Sequence, residues 1–132
     1  MSEAKSMSQV YGELLLEYAE REPRLFVLEA DLMRAHNTAP FLEKYPDRFL
    51  NVGVAEANMA GVAAGLSNVG KIPFMNTFAP FASRRLYDQM FVSIAYSKLN
   101  VKIAGTSPGV IAGVNGGTPH VLRGRGSVPG RA

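Results

Sequence analysis

Residues 49–77 read FLNVGVAEANMAGVAAGLSNVGKIPFMNT, and this stretch decides the fold class. Phe49 to Val54 is a short apolar run suited to a strand. From Ala55 to Val69 the residues Met59, Val62, Leu66 and Val69 recur at helical spacing, and Gly70 supplies a stop. Ile72 to Thr77 is again strand-like, with Pro73 tolerable near a strand start. A strand, a one-helix crossover and a second strand form the unit from which parallel sheets are built. The other face of this helix carries Ala60, Gly61, Ala63, Ala64 and Gly65, small enough to let a neighbouring backbone approach closely.

The same alternation extends in both directions. Ser8 to Arg21 places Val10, Leu14 and Tyr18 on one helical stripe, and Pro23 stops the helix. Leu25 to Ala30 is nearly continuous in apolar residues, as a strand covered on both faces should be. Thr38 to Tyr45 opens with a capping residue type, has Pro40 in its first turn and ends before Pro46, so it predicts a short helix. Phe81 to Ser97 predicts a long helix with Leu86, Met90 and Ile94 on one side, and Val101 to Thr106 a fourth strand. The expected architecture is therefore α/β and doubly wound, with a mostly parallel sheet covered by helices on both faces.

Composition agrees with one globular domain. The chain has 132 residues, 47% hydrophobic and 19% charged, room for a single core. No run reaches the roughly 18 apolar residues of a membrane span, and the polar start MSEAKSMSQV does not resemble a signal peptide, so a cytoplasmic protein is expected. There is no cysteine and only two histidines, His36 and His120, without zinc-ligand spacing, so no metal site is expected. The net charge of +3 sits at the end, where Val121 to Ala132 contains Arg123, Arg125 and Arg131 and no acid. Without interleaved aromatics that tail is a poor nucleic-acid arm, and neither nucleic acid nor membrane is expected as a partner.

In doubly wound sheets ligands sit beyond the carboxyl ends of the strands. The residues there are Asp31, Glu56, Phe78 with Phe81, and the glycine-rich loop Ser107 to Thr118. Spacing alone makes Asp31 a turn or cap residue. Glu56 opens a helix, where an acid gains roughly 0.3–1 kcal/mol from the helix dipole. It stands among Val, Gly and Ala with almost no polar neighbours, and a desolvated carboxyl group can share a proton with a ligand nitrogen. Phe78 and Phe81 read as core, although a flat ring at a strand end can stack a heterocycle. The loop lacks both the dinucleotide fingerprint and the lysine of a phosphate loop.

Taken together, VLEADL, FLNVGVAEANMAGVAAGL, GKIPFMNTFAPFASRRLYDQ and NVKIAGTSPGV, spread over residues 7–118, resemble the pyrimidine-binding domain of transketolases, above all the separate C-terminal subunit of split bacterial forms. The resemblance implies that Glu56 is the catalytic glutamate, contacting N1′ of the aminopyrimidine of thiamine diphosphate. It further implies that Phe81 stacks on that ring with Phe78 on the same side, and that Asp31 faces the cofactor. The implied activity is transfer of a two-carbon ketol unit from a ketose phosphate to an aldose phosphate, the cofactor carrying the carbanion chemistry.

The family's diphosphate and Mg²⁺ are held by a second domain or chain. The implied partner is therefore a diphosphate-binding N-terminal transketolase subunit, within a homo- or hetero-oligomer, with sugar phosphates as substrates and the fragment alone inactive. Family members often have an arginine for substrate phosphate where this chain has Ser8. Deoxyxylulose-phosphate synthase and the β subunit of 2-oxoacid dehydrogenases remain alternatives, as does a non-catalytic interaction module.

The resemblance ends at Thr118, which divides the chain into a partial domain, 1–118, and an aberrant basic tail, 119–132. The family's Thr-His pair, whose histidine reaches substrate, is matched one place out of register by His120. Removing one base from codons chosen for Thr118 to Gly124 restores Thr-His-Met-Ser-Phe-Glu, close to the family pattern. The tail is accordingly expected to be a frameshifted or truncated product, disordered, on a domain incomplete at its C-terminus and of marginal stability.

Overall fold

The computed structural model describes residues 4–109. His120, the greater part of the glycine-rich loop and the tail 119–132 lie outside the described residues. Helix α1 spans Met7–Arg21 and starts in a capping box: Ser6 Oγ accepts from the Gln9 N–H, while the Ser6 N–H donates to Gln9 Oε1. Strand β1, Leu25–Glu29, follows, then the short helices α2, Met33–His36, and α3, Ala39–Lys44. A 3-10 turn leads into β2, Phe49–Asn51. Helix α4, Glu56–Asn68, crosses to β3, Ile72–Phe78. Helices α5, Ala79–Arg84, and α6, Tyr87–Gln89, run on through a π-helical stretch, Met90–Ala95, before β4, Lys102–Thr106.

Among the described residues the four strands are all parallel, in the order β2-β1-β3-β4. The chain winds from β1 outward to β2 and then crosses over to β3 on the other side. The point where the winding reverses therefore lies at the carboxyl ends of β1 and β3.

Alternation along β1 feeds two cores. Val27 and Leu25 join Leu15, Ala19, Phe41 and Phe49 on one face, whereas Leu28 packs with Met75, Met59, Ala60, Ala63, Leu86 and Ile94 on the other. A strand buried on both sides has to be apolar at successive positions, which is why Val27 and Leu28 are adjacent.

The structure corrects several sequence expectations. The stripe Val10, Leu14, Tyr18 is the exposed side of α1, and Gly12, Leu15 and Ala19 face inward. Close approach decides the choice, because a Cβ on Gly12 would lie 2.2 Å from the Asn37 carbonyl oxygen, and only the small-residue face can descend that far. Thr38 does not cap α3; its hydroxyl donates to Glu29 instead. Helix α2 has no counterpart among the periodic segments of the sequence.

Strand β2 stops at Asn51 rather than Val54, since Asn51 Oδ1 accepts the N–H groups of both Gly53 and Asp31 and turns the chain out of the sheet. On α4, Ala60, Ala63 and Ala64 are buried, but Gly61 and Gly65 face open space, so close packing involves the alanines alone. The long helix expected from Phe81 to Ser97 is interrupted at Arg85 and Leu86, whose N–H groups both donate to the Phe81 carbonyl. Leu86 and Ile94 nonetheless keep to the buried side as the spacing requires.

Candidate functional site

Glu56 is the first residue of α4 and is 1% exposed. Its helix begins after Ala55, which has no capping side chain, so the acid lies against an uncapped helix start where the dipole favours negative charge. The expectation that it has almost no polar neighbours is corrected by Arg85, a residue that spacing does not single out. Arg85 Nη1 donates to Glu56 Oε2 at 2.9 Å. A carboxylate taken out of water needs such a partner, since an unpaired buried charge is costly.

The same guanidinium lies over the ring of Phe81, its Cζ 4.7 Å from the centroid. Glu56 and Phe81, from different helices, therefore meet around one flat cation. Phe78 stands 6.3 Å from Phe81 between ring centroids and is itself buried, with His36 in a T-shaped contact at 6.2 Å between centroids. Phe78 supports the cluster from within, whereas Phe81 is only partly covered.

Asp31 is exposed and adopts a left-handed backbone, φ 60°, in the turn after β1. Asn51 Nδ2 donates to its carboxylate at 3.2 Å, and its own N–H donates back to Asn51 Oδ1 at 3.0 Å. Asp31 is thus fixed to the end of β2, while Glu56, Phe78 and Phe81 gather at the ends of β2 and β3.

A second polar cluster lies beneath, at the ends of β1 and β4. Glu29 and His36 are both fully buried, with His36 Nδ1 2.8 Å from Glu29 Oε2 and Nε2 2.7 Å from Thr106 Oγ1. Thr38 Oγ1 donates to the other carboxylate oxygen of Glu29 at 2.7 Å. Tyr11 donates its hydroxyl to Asn76 Oδ1, and Asn76 Nδ2 donates to the Leu28 carbonyl. Burial, with the Glu29 charge nearby, pushes the Tyr11 phenol well above its usual range.

The signal for this cluster is present in the sequence as Glu29 and Asn76 in otherwise apolar strands, since polar residues there require buried partners. Among the described residues no three His, Cys, Asp or Glu side chains converge on a metal position, and no helix is long and apolar enough to cross a membrane.

The residues available around Glu56 fit a flat nitrogen heterocycle: a buried carboxyl group able to share a proton, and an aromatic face beside it. Comparison with known proteins bears on the family of the chain. Residues 3–124 match the family model for the transketolase pyrimidine-binding domain. A 6-deoxy-6-sulfo-D-fructose transketolase subunit from Clostridium sp. (strain MSTE9) is 53% identical over 85% of this chain and 35% of its own length. One of the subunits of an apulose-4-phosphate transketolase from Actinobacillus succinogenes is 33% identical over 97% of this chain and 43% of its own length. Among solved structures, a split-gene transketolase described as an inactive β4 tetramer superposes with a TM-score of 0.70 at 50% identity, covering 77% of this chain and 34% of that one. The chain therefore spans less than half the length of these relatives.

Proposed function

The chain belongs to the transketolase pyrimidine-binding domain family, and from that premise we propose that it supplies the pyrimidine side of a thiamine-diphosphate site in a transketolase assembled from more than one chain or domain. The observation that carries this reading is that the buried carboxyl group of Glu56 and the partly covered ring of Phe81 meet the same flat group, the Arg85 guanidinium. When bound, the cofactor supplies an electron sink for a two-carbon ketol unit moving from a ketose phosphate to an aldose phosphate.

This chain's residues orient and tune. Glu56 holds a proton at the ring nitrogen of the aminopyrimidine, in surroundings that exclude water and strengthen the exchange. Phe81 presents the stacking face and Phe78 backs it. Asp31, held by Asn51, faces the cofactor from the end of β1. The diphosphate and Mg²⁺ belong to a partner of the N-terminal transketolase type. A homo- or hetero-oligomer in the cytoplasm, acting on sugar phosphates, is the natural setting.

The test is reconstitution with a diphosphate-binding subunit, followed by exchange of the cofactor's C2 proton. Glu56→Gln is nearly isosteric and leaves the fold intact, but an amide cannot exchange the proton, so exchange should drop by about 10²-fold or more. An unchanged rate in the variant overturns the assignment. Comparing ketose phosphates with pyruvate as donors separates ketol transfer from the synthase and dehydrogenase chemistries.

A further inference from the structure

The contacts made by Arg85 have the form of a ligand's. An aminopyrimidine is flat, offers a face to an aromatic ring and shares a hydrogen at its edge with a carboxyl group. The guanidinium of Arg85 is also flat, lies over Phe81 at 4.7 Å and donates to Glu56 at 2.9 Å. From this coincidence, which rests on the site reading above, we infer that Arg85 is a built-in occupant of the pyrimidine site, a latch that the cofactor has to displace.

Two features suit it to that role. Glu56 is buried, so its charge requires a partner whenever no ligand is present. Arg85 is not buried to match: its side chain is 49% exposed, and it stands at the carboxyl end of α5. When it swings away it returns to water at little cost, leaving Glu56 to the incoming ring. The asymmetry makes the pair reversible, because one partner is trapped and the other is free to leave. Latch opening and cofactor binding are then a single linked equilibrium, and the observed affinity is the intrinsic one reduced by the fraction of chains with the latch open.

The 132-residue chain is titrated with the aminopyrimidine half of the cofactor alone, 4-amino-5-hydroxymethyl-2-methylpyrimidine, which needs no diphosphate site, while the arginine side-chain nitrogens are followed by NMR. In the free chain the Arg85 guanidinium should show hindered rotation, and saturation with the pyrimidine should release it. Arg85→Met keeps an unbranched stem and removes the cation, and it should bind the pyrimidine about tenfold more tightly. Arg85→Lys should fall between, since an ammonium is a point charge that cannot lie flat on the ring while donating at its edge.

Equal or weaker binding by Arg85→Met, with the pyrimidine binding the native chain, overturns the latch and leaves the site reading standing. Pyrimidine binding to neither chain, with the Glu56 pair intact, overturns both. If Arg85→Met proves unfolded by circular dichroism, the native chain decides: pyrimidine that binds without freeing the Arg85 guanidinium sinks the proposal, and freeing supports it.

Discussion

Phe81 has the Arg85 guanidinium over its ring and Phe78 6.3 Å away between centroids, a place that suits packing and, in the proposed site, recognition. Truncation separates the two roles. Phe81→Ala should weaken binding of the aminopyrimidine by about 0.5–1.5 kcal/mol, the contribution of an aromatic face beyond area burial, with a smaller effect on folding. A urea titration that instead finds a stability loss of about 3–5 kcal/mol would mark Phe81 as plain core. Its partly exposed position favours the first outcome. The fully buried Glu29 and His36 are the contrast, with every partner inside the protein. Removing His36 takes away the partner of Glu29 Oε2 in the core and leaves only Thr38 on Oε1, and His36→Ala should destabilise by about 1–3 kcal/mol, measured by the same titration.

At the scale of elements, two glycines in helices make opposite predictions for the same substitution. Gly61 lies on the outer side of α4, with nothing among the described residues within 4 Å of where a Cβ would stand. Gly61→Ala should therefore stabilise by about 0.5–1 kcal/mol through lost backbone freedom in the unfolded chain. Gly12 in α1 has the same propensity penalty, but its Cβ would meet the Asn37 carbonyl oxygen at 2.2 Å, and that oxygen belongs to backbone. Gly12→Ala should raise α1 off α2 and destabilise by about 1–3 kcal/mol, as overpacking does. Thermal unfolding of the two variants should move in opposite directions; a common sign would mean that the contact of α1 with Asn37 is not as close as described.

For the molecule as a whole, the Tyr11 hydroxyl ties α1 to the central strand β3 through Asn76, and its ionisation couples the fold to pH. Its folded-state pKa is raised above the unfolded value, so the native state holds this proton more tightly than the unfolded chain does. The contribution to stability is complete below the unfolded pKa of about 10 and is lost progressively as pH rises above it. Alkaline unfolding should start near that point. In absorbance at about 295 nm, where tyrosinate absorbs, one of the five tyrosines should titrate only as the protein unfolds. Tyr11→Phe should remove that late step and flatten the alkaline limb; a native protein in which all five ionise together near pH ~10 would contradict the buried hydroxyl.

The alternation of strand and helix periods, legible from Leu25 onward, determined a parallel sheet with two covered faces, because each period is local and each buried strand must be apolar at successive positions. The same local reading, joined to the family resemblance, singled out Glu56 and Phe81 as candidate site residues, and the fold brings both to the Arg85 guanidinium. What periodicity could not decide was which of two plausible faces α1 turns inward, since Val10, Leu14 and Tyr18 are spaced as regularly as Gly12, Leu15 and Ala19, and only the closeness of Asn37 selects the smaller set. Nor could it pair Arg85 with Glu56, 29 positions away, or His36 with Thr106, 70 positions away. Those meetings depend on the order in which the strands assemble and on where a helix breaks. Polar groups in a core find partners by proximity in space, and separation along the chain carries no trace of it.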